Sequence, residues 1–329
     1  MLFLLLALSL PASALGPEVE RFSAEIGFGA LQGLRLSPLE LRGPAERAMP
    51  PLDFSGVTWS ESLTLDDRKA LGIALNISGS YEGNKGWGNI ATNFDGQGVS
   101  LGLLNQNLGQ GSLQPMLIRM RDQHPEALKA IFKPEHLKSL LAMLSRWEKA
   151  SKDEPPSPTL SILDEPLDSE ERSANSDSVA WAEENLYDGS GFDPVWKKGL
   201  VALAEHPDYV SYQIAAAEGY HAKALKYQVR IGIKEFRAYL MLFDIVVQNG
   251  SLYEVDLTDY EAYVKANPSA TNTQKLEKLL ELRIRHVREQ YKADVRARKK
   301  TIINGAGTVH GERRDLPKEY SYDPLWAYR

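Results

Sequence analysis

Two carboxylates in one glycine-rich segment have the side chains needed for acid–base chemistry on a glycosidic bond. Glu82 follows an apolar stretch that we expect to end near Ser78 and Gly79, and Asp95 precedes Gly96 in a dipeptide typical of hairpin turns. Glycoside hydrolysis needs one carboxyl group that donates a proton to the leaving oxygen and a second, ionised one that activates water. Burial would suit Glu82 to the first role, and a polar turn would suit Asp95 to the second. The residue types alone also allow a solvated Glu82 and an Asp95 that only shapes its turn.

The same segment interleaves its glycines with planar amides and aromatic rings, which is a composition that suits a sugar-binding groove. Amides hydrogen-bond to hydroxyl groups, rings stack on the apolar faces of sugars, and glycines let the backbone approach closely. The candidate substrate-binding residues of this kind are Tyr81, Trp87, Asn93, Gln97 and Asn105.

Several other chemistries lack their motifs in this sequence. The glycines form neither a phosphate-binding G-x-x-x-x-G-K-[ST] loop nor a dinucleotide fingerprint. The six histidines show no H-E-x-x-H spacing, and there is no G-x-S-x-G elbow. The chain contains no cysteine, which excludes disulfides, thiolate metal sites and a cysteine nucleophile. We therefore expect neither a metal nor an organic cofactor.

Composition and charge indicate a globular protein that does not bind nucleic acid. Of its 329 residues, 43% are hydrophobic and 25% are charged, and the formal net charge is -6. Eight acidic and two basic residues between positions 151 and 177 account for that net charge. No strongly basic face is implied, so nucleic acid is an unlikely partner. The segment 151–178 is also rich in proline and serine, which predicts a solvated loop or insertion.

The N-terminus has the features of an export signal. Residues 2–10 form a short apolar core, Pro11 breaks it, and Ala12-Ser13-Ala14 fits a cleavage site, although no basic residue precedes the core. A buried N-terminal helix is the alternative. We predict a signal peptide over residues 1–14, an exported mature protein and no membrane anchor, because no later stretch reaches the length of a membrane helix.

The periodicity of the remaining chain predicts a mainly helical protein. Thr64 with Asp66 and Asp67 indicates a helix start. Further helices are predicted over 113–123, 125–131, 134–149, 179–187, 194–204, 209–232, 233–249 and 272–300, with one small sheet near 88–106. Residues 15–62 read as an irregular leader and 63–329 as one catalytic domain, most simply a monomer.

One helix carries a charge that needs a partner. Asp244 lies in the otherwise apolar stretch YLMLFDIVVQNG, so it must be paired or hydrogen-bonded if buried. Arg230 and Arg283 are the candidate partners, and contact with a sugar is the alternative. The arginines of the last long helix predict a solvated face, or a surface that attracts an anionic wall polymer; they are Arg283, Arg285, Arg288, Arg296 and Arg298.

Two motifs resemble the lysozyme-like superfamily, and are most similar to its chitosanase-like branch. The first is Glu82 followed by the NFDGQGVSLG segment, and the second is LFDIVVQNG, in which Asn249 stands where these chitosanases commonly have His. The Gln-bearing helix at 209–213 is a third similarity. The resemblance implies a two-lobed, mainly helical lysozyme-like fold with a small β-hairpin sheet beside the cleft.

The resemblance also implies roles for residues and a class of substrate. Glu82 would be the general acid and Asp95 the general base, with Gln97, Ser100 and Asn249 near the substrate. The substrate would be a β-1,4-linked amino-sugar polymer, either peptidoglycan or a chitosan-like glycan. Gln97 and Asn249 depart from the usual Arg and His, which leaves chitosan itself open. The alternatives are a lytic transglycosylase that uses Glu82 alone and a non-catalytic protein that binds the cell wall.

Overall fold

The computed structural model describes residues 49–151, 174–188 and 191–329, and this part of the chain is mainly helical, as predicted. Its helices are α1 (Leu65–Glu82), α2 (Gln114–Gln123), α3 (Pro125–Ile131), α4 (Pro134–Ser151), α5 (Ala174–Asn185), α6 (Pro194–Ala204), α7 (Pro207–Ile231), α8 (Phe236–Asn249), α9 (Glu254–Ala266), α10 (Asn272–Ile284), α11 (Glu289–Asn304) and α12 (Leu316–Tyr320). The strands are β1 (Ile90–Ala91), β2 (Ser100–Leu101), β3 (Gln106–Asn107), β4 (Tyr187–Asp188), β5 (Gly191–Phe192), β6 (Ala306–Val309) and β7 (Glu312–Asp315).

Two separate hydrophobic cores give the molecule its two lobes. One core joins α1 to α8–α11 and the C-terminal segment, and the other joins the first sheet to α2–α6. Helix α7 contributes to both, because Tyr209 and Tyr212 pack in the second core while Ile214, Ala217 and Ala224 pack in the first. The long α7 therefore fixes one lobe relative to the other.

Helix α1 carries the first candidate catalytic residue on its last turn. Thr64 forms the predicted cap: its hydroxyl accepts from the Asp67 backbone and the Asp67 carboxylate accepts from the Thr64 backbone. The prediction that the helix ends near Gly79 was wrong, since it continues to Glu82. Gly79 serves packing instead, because a Cβ there would lie 2.4 Å from Leu103 Cδ1. This contact brings the loop after β2 against the end of α1.

The first sheet is a three-stranded antiparallel meander in the predicted place. Ile90 pairs with Leu101, and Leu101 pairs with Gln106. Asp95 does not occupy a tight two-residue turn, as the Asp-Gly dipeptide suggested. It ends a short 3₁₀ turn, Asn93–Asp95, inside the longer connection 92–99 between β1 and β2. The prediction of a single small sheet was also incomplete, since β4–β5 and β6–β7 form two further hairpins.

The predicted helix over 272–300 is two helices. Helix α10 ends at Ile284 and α11 begins at Glu289, and the two pack against each other. Arg283 and Arg298 are fully buried, so the expectation of a solvated arginine face was wrong for these two residues.

The C-terminal residues close the first lobe. Backbone carbonyls of Pro324 and Trp326 accept hydrogen bonds from Arg237 and Phe236, whose N–H groups would otherwise be unsatisfied at the start of α8. The Tyr328 hydroxyl donates to Asp67 at 2.7 Å. The segment thus joins the start of α8 to the start of α1.

Some sequence-based predictions lie outside the described residues. These are the signal peptide at 1–14, most of the leader and most of the acidic segment. The leader residues 49–62 are irregular and pack partly on the first core through Leu52, Phe54 and Trp59. Residues 174–178, predicted to belong to the acidic loop, instead begin α5, where Ala174 and Ser178 are buried. Among the described residues, no helix is long and apolar enough to span a membrane.

Candidate active site

Glu82 is a buried carboxylate at the end of α1. It occupies the last turn of α1, with 5% of its surface exposed. Arg298 donates to Oε1 at 2.8 Å, and the Asn105 amide donates to Oε2 at 3.2 Å. Both oxygens are therefore held by side chains that lie far away in the sequence, and the carboxyl group has one fixed orientation.

Asn105 contacts Glu82 because the backbone bends sharply after β2. Asn105 has φ of 51°, in the left-handed region that asparagine tolerates better than most residues. Its side chain accepts from the Asn89 amide at 2.9 Å while donating to Glu82. The predicted site residue Asn105 thus lies at the carboxylate, and its contact with substrate remains a prediction.

Arg298 connects Glu82 to Asp244. One guanidinium nitrogen donates to Glu82 and another donates to Asp244 Oδ1 at 2.7 Å. Burial opposes ionisation of Asp244, but the charges of Arg298 and Lys299 outweigh it and hold the pKa of Asp244 well below its usual range. The prediction that a buried Asp244 is paired is confirmed.

The predicted partners of Asp244 were wrong. Arg230 binds the carboxylates of Glu254 and Glu261 at the surface, and Arg283 donates to backbone carbonyls of Asn249 and Ser251. Helix α11 supplies the partner instead, through Arg298, and spacing along the sequence could not reveal that contact.

The charged contacts continue beyond Asp244. The Lys299 ammonium lies 2.8 Å from Asp244 Oδ2 and also donates to Gln248. Gln248 donates to Asp294 at 2.9 Å, and Asp294 contacts His310 in the β6–β7 turn. Burial lowers the pKa of Lys299 to about 8, so its ammonium remains protonated at neutral pH. We call the six ionisable residues Glu82, Arg298, Asp244, Lys299, Asp294 and His310 the buried charge chain.

Asp95 lies on the connection between β1 and β2, in a less polar setting than predicted. Burial raises the pKa of its carboxyl group, and a hydrogen bond from the Gln97 backbone, at 3.2 Å, lowers it only in part. The negative charge of Asp95 contributes to raising the pKa of Tyr187, after burial, which is the larger cause. Asp95 is thus neither a freely solvated turn residue nor an ion-paired one.

The loop that carries Asp95 is held by its own amides and by the second lobe. The Asn93 side chain accepts from the Gly98 backbone at 2.6 Å and donates to Glu183 at 2.7 Å. The Tyr187 hydroxyl donates to the Gly98 carbonyl at 2.6 Å. Gly98 has φ of 78°, and a Cβ there would meet α5 at 3.2–3.3 Å. These contacts set the position of Asp95.

The two predicted stacking rings differ in exposure, and Tyr81 is fully buried. Tyr81 has no exposed surface, and its ring lies between Arg298, at 4.8 Å, and Arg314, at 5.5 Å. The half-buried Trp87 indole donates to the Asp53 carbonyl and meets Phe54 edge-on. Both rings therefore pack on the first lobe; the fully buried Tyr81 presents no open face for stacking on a sugar, and a substrate contact of Trp87 stays a prediction.

Two other predicted site residues, Ser100 and Asn249, are buried. Ser100 is in β2 and is 4% exposed. Asn249, at the end of α8, is 1% exposed, and its side-chain amide has no protein partner. Gln213 accepts from the Leu103 backbone at 2.8 Å and donates to the Ala204 carbonyl at 2.8 Å, so it holds the β2–β3 loop. Substrate contacts of Gln97, Ser100 and Asn249 stay predictions.

Arg298 is the residue that sequence reasoning misplaced most. The apolar stripe of the last helix includes Tyr291 and Val295, and Arg298 continues that stripe seven and three residues on. Its position on the buried face was the available signal. Among the described residues, no cluster of three or more His, Asp or Glu side chains could hold a metal ion.

Comparison with known proteins identifies the fold. No family model and no curated protein matches this sequence. The structure is similar to a GH46 chitosanase from Gynuella sunshinyii, solved in complex with chitotetraose, with a TM-score of 0.50 and 14% identity over 78% of this chain and 99% of that chain.

Two chitosanase structures from Bacillus subtilis are also similar. One is a mutant complexed with GlcN, with a TM-score of 0.46 and 14% identity over 78% of this chain and 98% of its own. The other is a native enzyme, with a TM-score of 0.45 and 15% identity over 74% of this chain and 90% of its own. At these identities the likeness to the Gynuella structure shows the fold alone, and it is the chitosanase-like fold predicted from the sequence.

Proposed function

We propose that this protein hydrolyses β-1,4-linked amino-sugar polymers, with Glu82 as general acid and Asp95 as general base. The observation that carries the proposal is the buried Glu82 carboxylate, fixed by Arg298 of α11 and by Asn105 of the β2–β3 loop. A carboxyl group that is fixed in one orientation can be placed accurately at the leaving oxygen of a bound polymer. The fold of the Gynuella chitosanase supports the same class of polymer.

Asp95 supplies the second carboxyl group from the facing sheet. The β1–β2 connection that carries it is tied to the second lobe through Gly98 and Tyr187, whereas Glu82 belongs to the first lobe. Acid and base thus come from opposite lobes, as an enzyme that places a polymer between them requires. We propose that the bond is cleaved with inversion, in which case the two carboxyl groups stand roughly 6.5–9.5 Å apart with a water between them.

The first test replaces Glu82. Glu82→Gln keeps the shape and can still accept hydrogen bonds, but it cannot donate the acid proton. General acid catalysis contributes about 10²–10⁴-fold, so turnover of chitosan oligomers or peptidoglycan should fall by at least about 100-fold. Glu261→Gln, an exposed residue on α9 paired with Arg230, is the matched control and should retain full activity.

The second test replaces Asp95 and separates the possible enzymes. Asp95→Asn should reduce hydrolysis comparably, because the base that activates water is lost. A lytic transglycosylase would tolerate the change, since a hydroxyl of the sugar itself attacks, and its products would carry anhydro ends instead of reducing ends. Wild-type digests dominated by anhydro ends, with Asp95→Asn still active, would refute the two-carboxylate assignment.

Inactivity of the wild type would support a different function. If purified protein bound polysaccharide without cleaving it, and Glu82→Gln left binding intact, the non-catalytic wall-binding alternative would be correct. We also propose that the chain is exported after removal of residues 1–14 and acts as a monomer on wall or extracellular glycan. No metal or organic cofactor enters this proposal.

A further inference from the structure

The buried charge chain does not end at the residues that touch Glu82. It runs from Glu82 through Arg298, Asp244 and Lys299, and a second branch reaches Asp294 and His310 on the far side. The side chains of Arg298, Asp244 and Lys299 have no exposed surface, and those of His310 and Asp294 are 8% and 16% exposed. The positive and negative charges of these buried side chains must balance, because an uncompensated buried charge is costly in free energy.

The balance of this chain depends on His310. Three carboxylates, on Glu82, Asp244 and Asp294, face the two cations Arg298 and Lys299, so one negative charge is left over. Protonation of His310 cancels it. If Glu82 carries a proton instead, the chain is balanced with a neutral His310. One proton at either end therefore satisfies the whole chain.

We infer that His310 and Asp294 form a positioning pair for Glu82, and that the charge of His310 sets the pH range in which Glu82 can act as the acid. The inference rests on the proposed function for its catalytic meaning, but the charge coupling itself can be measured without activity. In the structure, His310 is linked to Glu82 through the other members of the chain.

The fold fixes His310 at the end of the chain. Val309 pairs with Glu312, and His310 and Gly311 between them have φ of 53° and 79°, the geometry of a two-residue hairpin turn. The turn places the imidazole against Asp294 and edge-on to the Tyr81 ring, at 6.4 Å. Burial opposes ionisation of Asp294, but the charge and hydrogen bond of His310 together with the charges of Arg298 and Lys299 outweigh it, so the pKa of Asp294 is lowered.

Other charged groups border this region without entering the balance. Arg314 faces the Tyr81 ring from β7, and it is paired with Glu319 in a bond of 2.6 Å, so the two cancel. From α11 the groups facing Asp294 are Arg298 and Lys299, and from α8 the charged group is Asp244, all of them counted in the chain.

The first experiment is a thermal-unfolding cycle at pH 7 with Glu82→Gln, His310→Gln and the double variant. In the wild type, His310→Gln removes the compensating charge, but after Glu82→Gln the chain is balanced without it. The losses of melting temperature should therefore not add. The loss in the double variant should be smaller, by at least about 2 °C, than the sum of the two single losses. His221→Gln is the matched control, since His221 is another largely buried histidine and hydrogen-bonds to Tyr239; with Glu82→Gln its effect should add.

The second experiment is a charge rescue read from the pH profile of kcat/KM. Without His310, ionisation of Glu82 is disfavoured, so the alkaline limb of the His310→Gln profile should move up by about half a pH unit or more. Adding Asp294→Asn to the His310→Gln variant removes the excess negative charge, so the double variant should have its alkaline limb back at the wild-type position. His221→Gln should leave the limb in place.

The outcomes separate this inference from the proposed function. Additive melting losses, or a His310→Gln profile that is scaled down but not shifted, would overturn the inference and leave a hydrolase with a merely structural His310. If the wild type is inactive but the melting losses of the two single variants do not add, the proposed function is overturned and the charge coupling between His310 and Glu82 stands. If His310→Gln does not fold, failure of Asp294→Asn to restore folding refutes the charge balance.

Discussion

Asp67 offers a quantitative test of how the C-terminal segment stabilises the first lobe. Its carboxylate is 4% exposed and accepts hydrogen bonds from the Thr64 cap, the Tyr328 hydroxyl and the Arg329 guanidinium. Although burial opposes them, these bonds lower the pKa of Asp67 from 3.8 to about 2. Each unit of pKa difference between the folded and unfolded states corresponds to about 1.4 kcal/mol. Ionised Asp67 therefore contributes about 2.5 kcal/mol to the free energy of unfolding.

The sign of the pH dependence follows from that difference. The folded pKa lies below the unfolded value, so the contribution is fully present above about pH 5 and is lost as the pH falls from about 4 to about 2. Asp67→Asn should lower the melting temperature by roughly 5 °C at pH 7, with the deficit shrinking at pH 3. Thermal unfolding followed by circular dichroism at pH 7, 5, 4 and 3 measures this.

The control is the neighbouring acid on the same helix turn. Asp66 is exposed and shares the position near the N-terminus of α1, so Asp66→Asn reports the helix-dipole contribution alone. A deficit of Asp67→Asn that matched that of Asp66→Asn, or that stayed constant from pH 7 to pH 3, would refute the assigned role of the Tyr328 and Arg329 contacts.

Two further predictions follow from the site and the N-terminus. Arg298→Lys should cut activity at least about 100-fold, because one ammonium cannot reproduce the forked contact with Glu82 and Asp244; Arg296→Lys, on the exposed pair with Glu281, should have no effect in the same assay. Secreted protein from the native host should begin at Leu15 by intact-mass measurement, and material that retains residues 1–14 would contradict the proposed cleavage.

Local patterns in the sequence predicted most of the helices and the place of the first sheet. The Thr64 cap, the break at Gly232 and the helix Pro194–Ala204 follow from residues within a few positions of each other. Such local signals do not predict the structure correctly where a contact with a distant part of the chain determines it. Gly79 looked like a helix end but is a close-packing position against Leu103, and the break between α10 and α11 has no proline or glycine to announce it.

The candidate site was predictable in its carboxylates and not in its supports. Glu82 and Asp95 were found because the glycine-rich segment that contains them is contiguous. Arg298 lies 216 residues from Glu82, and no local pattern indicates which buried cation meets which buried acid. The exposure of rings is equally non-local: the sequence suggested Tyr81 for stacking on a sugar, but its ring is fully buried beside Arg298 of α11 and Arg314 of β7.

The two lobes differ in how their segments are ordered along the chain. The second core draws on residues between 90 and 212, whereas the first combines residues 49–81, Leu103 and Leu104 with residues from 210 to 328. During synthesis, the second lobe can therefore complete its contacts while the chain is still growing. The first lobe cannot, because α1 must wait for α8, α11 and finally Tyr328, 261 residues after Asp67. Since Glu82 belongs to the waiting lobe and its Arg298 partner arrives late, the acid site comes into existence only in the last stage of folding.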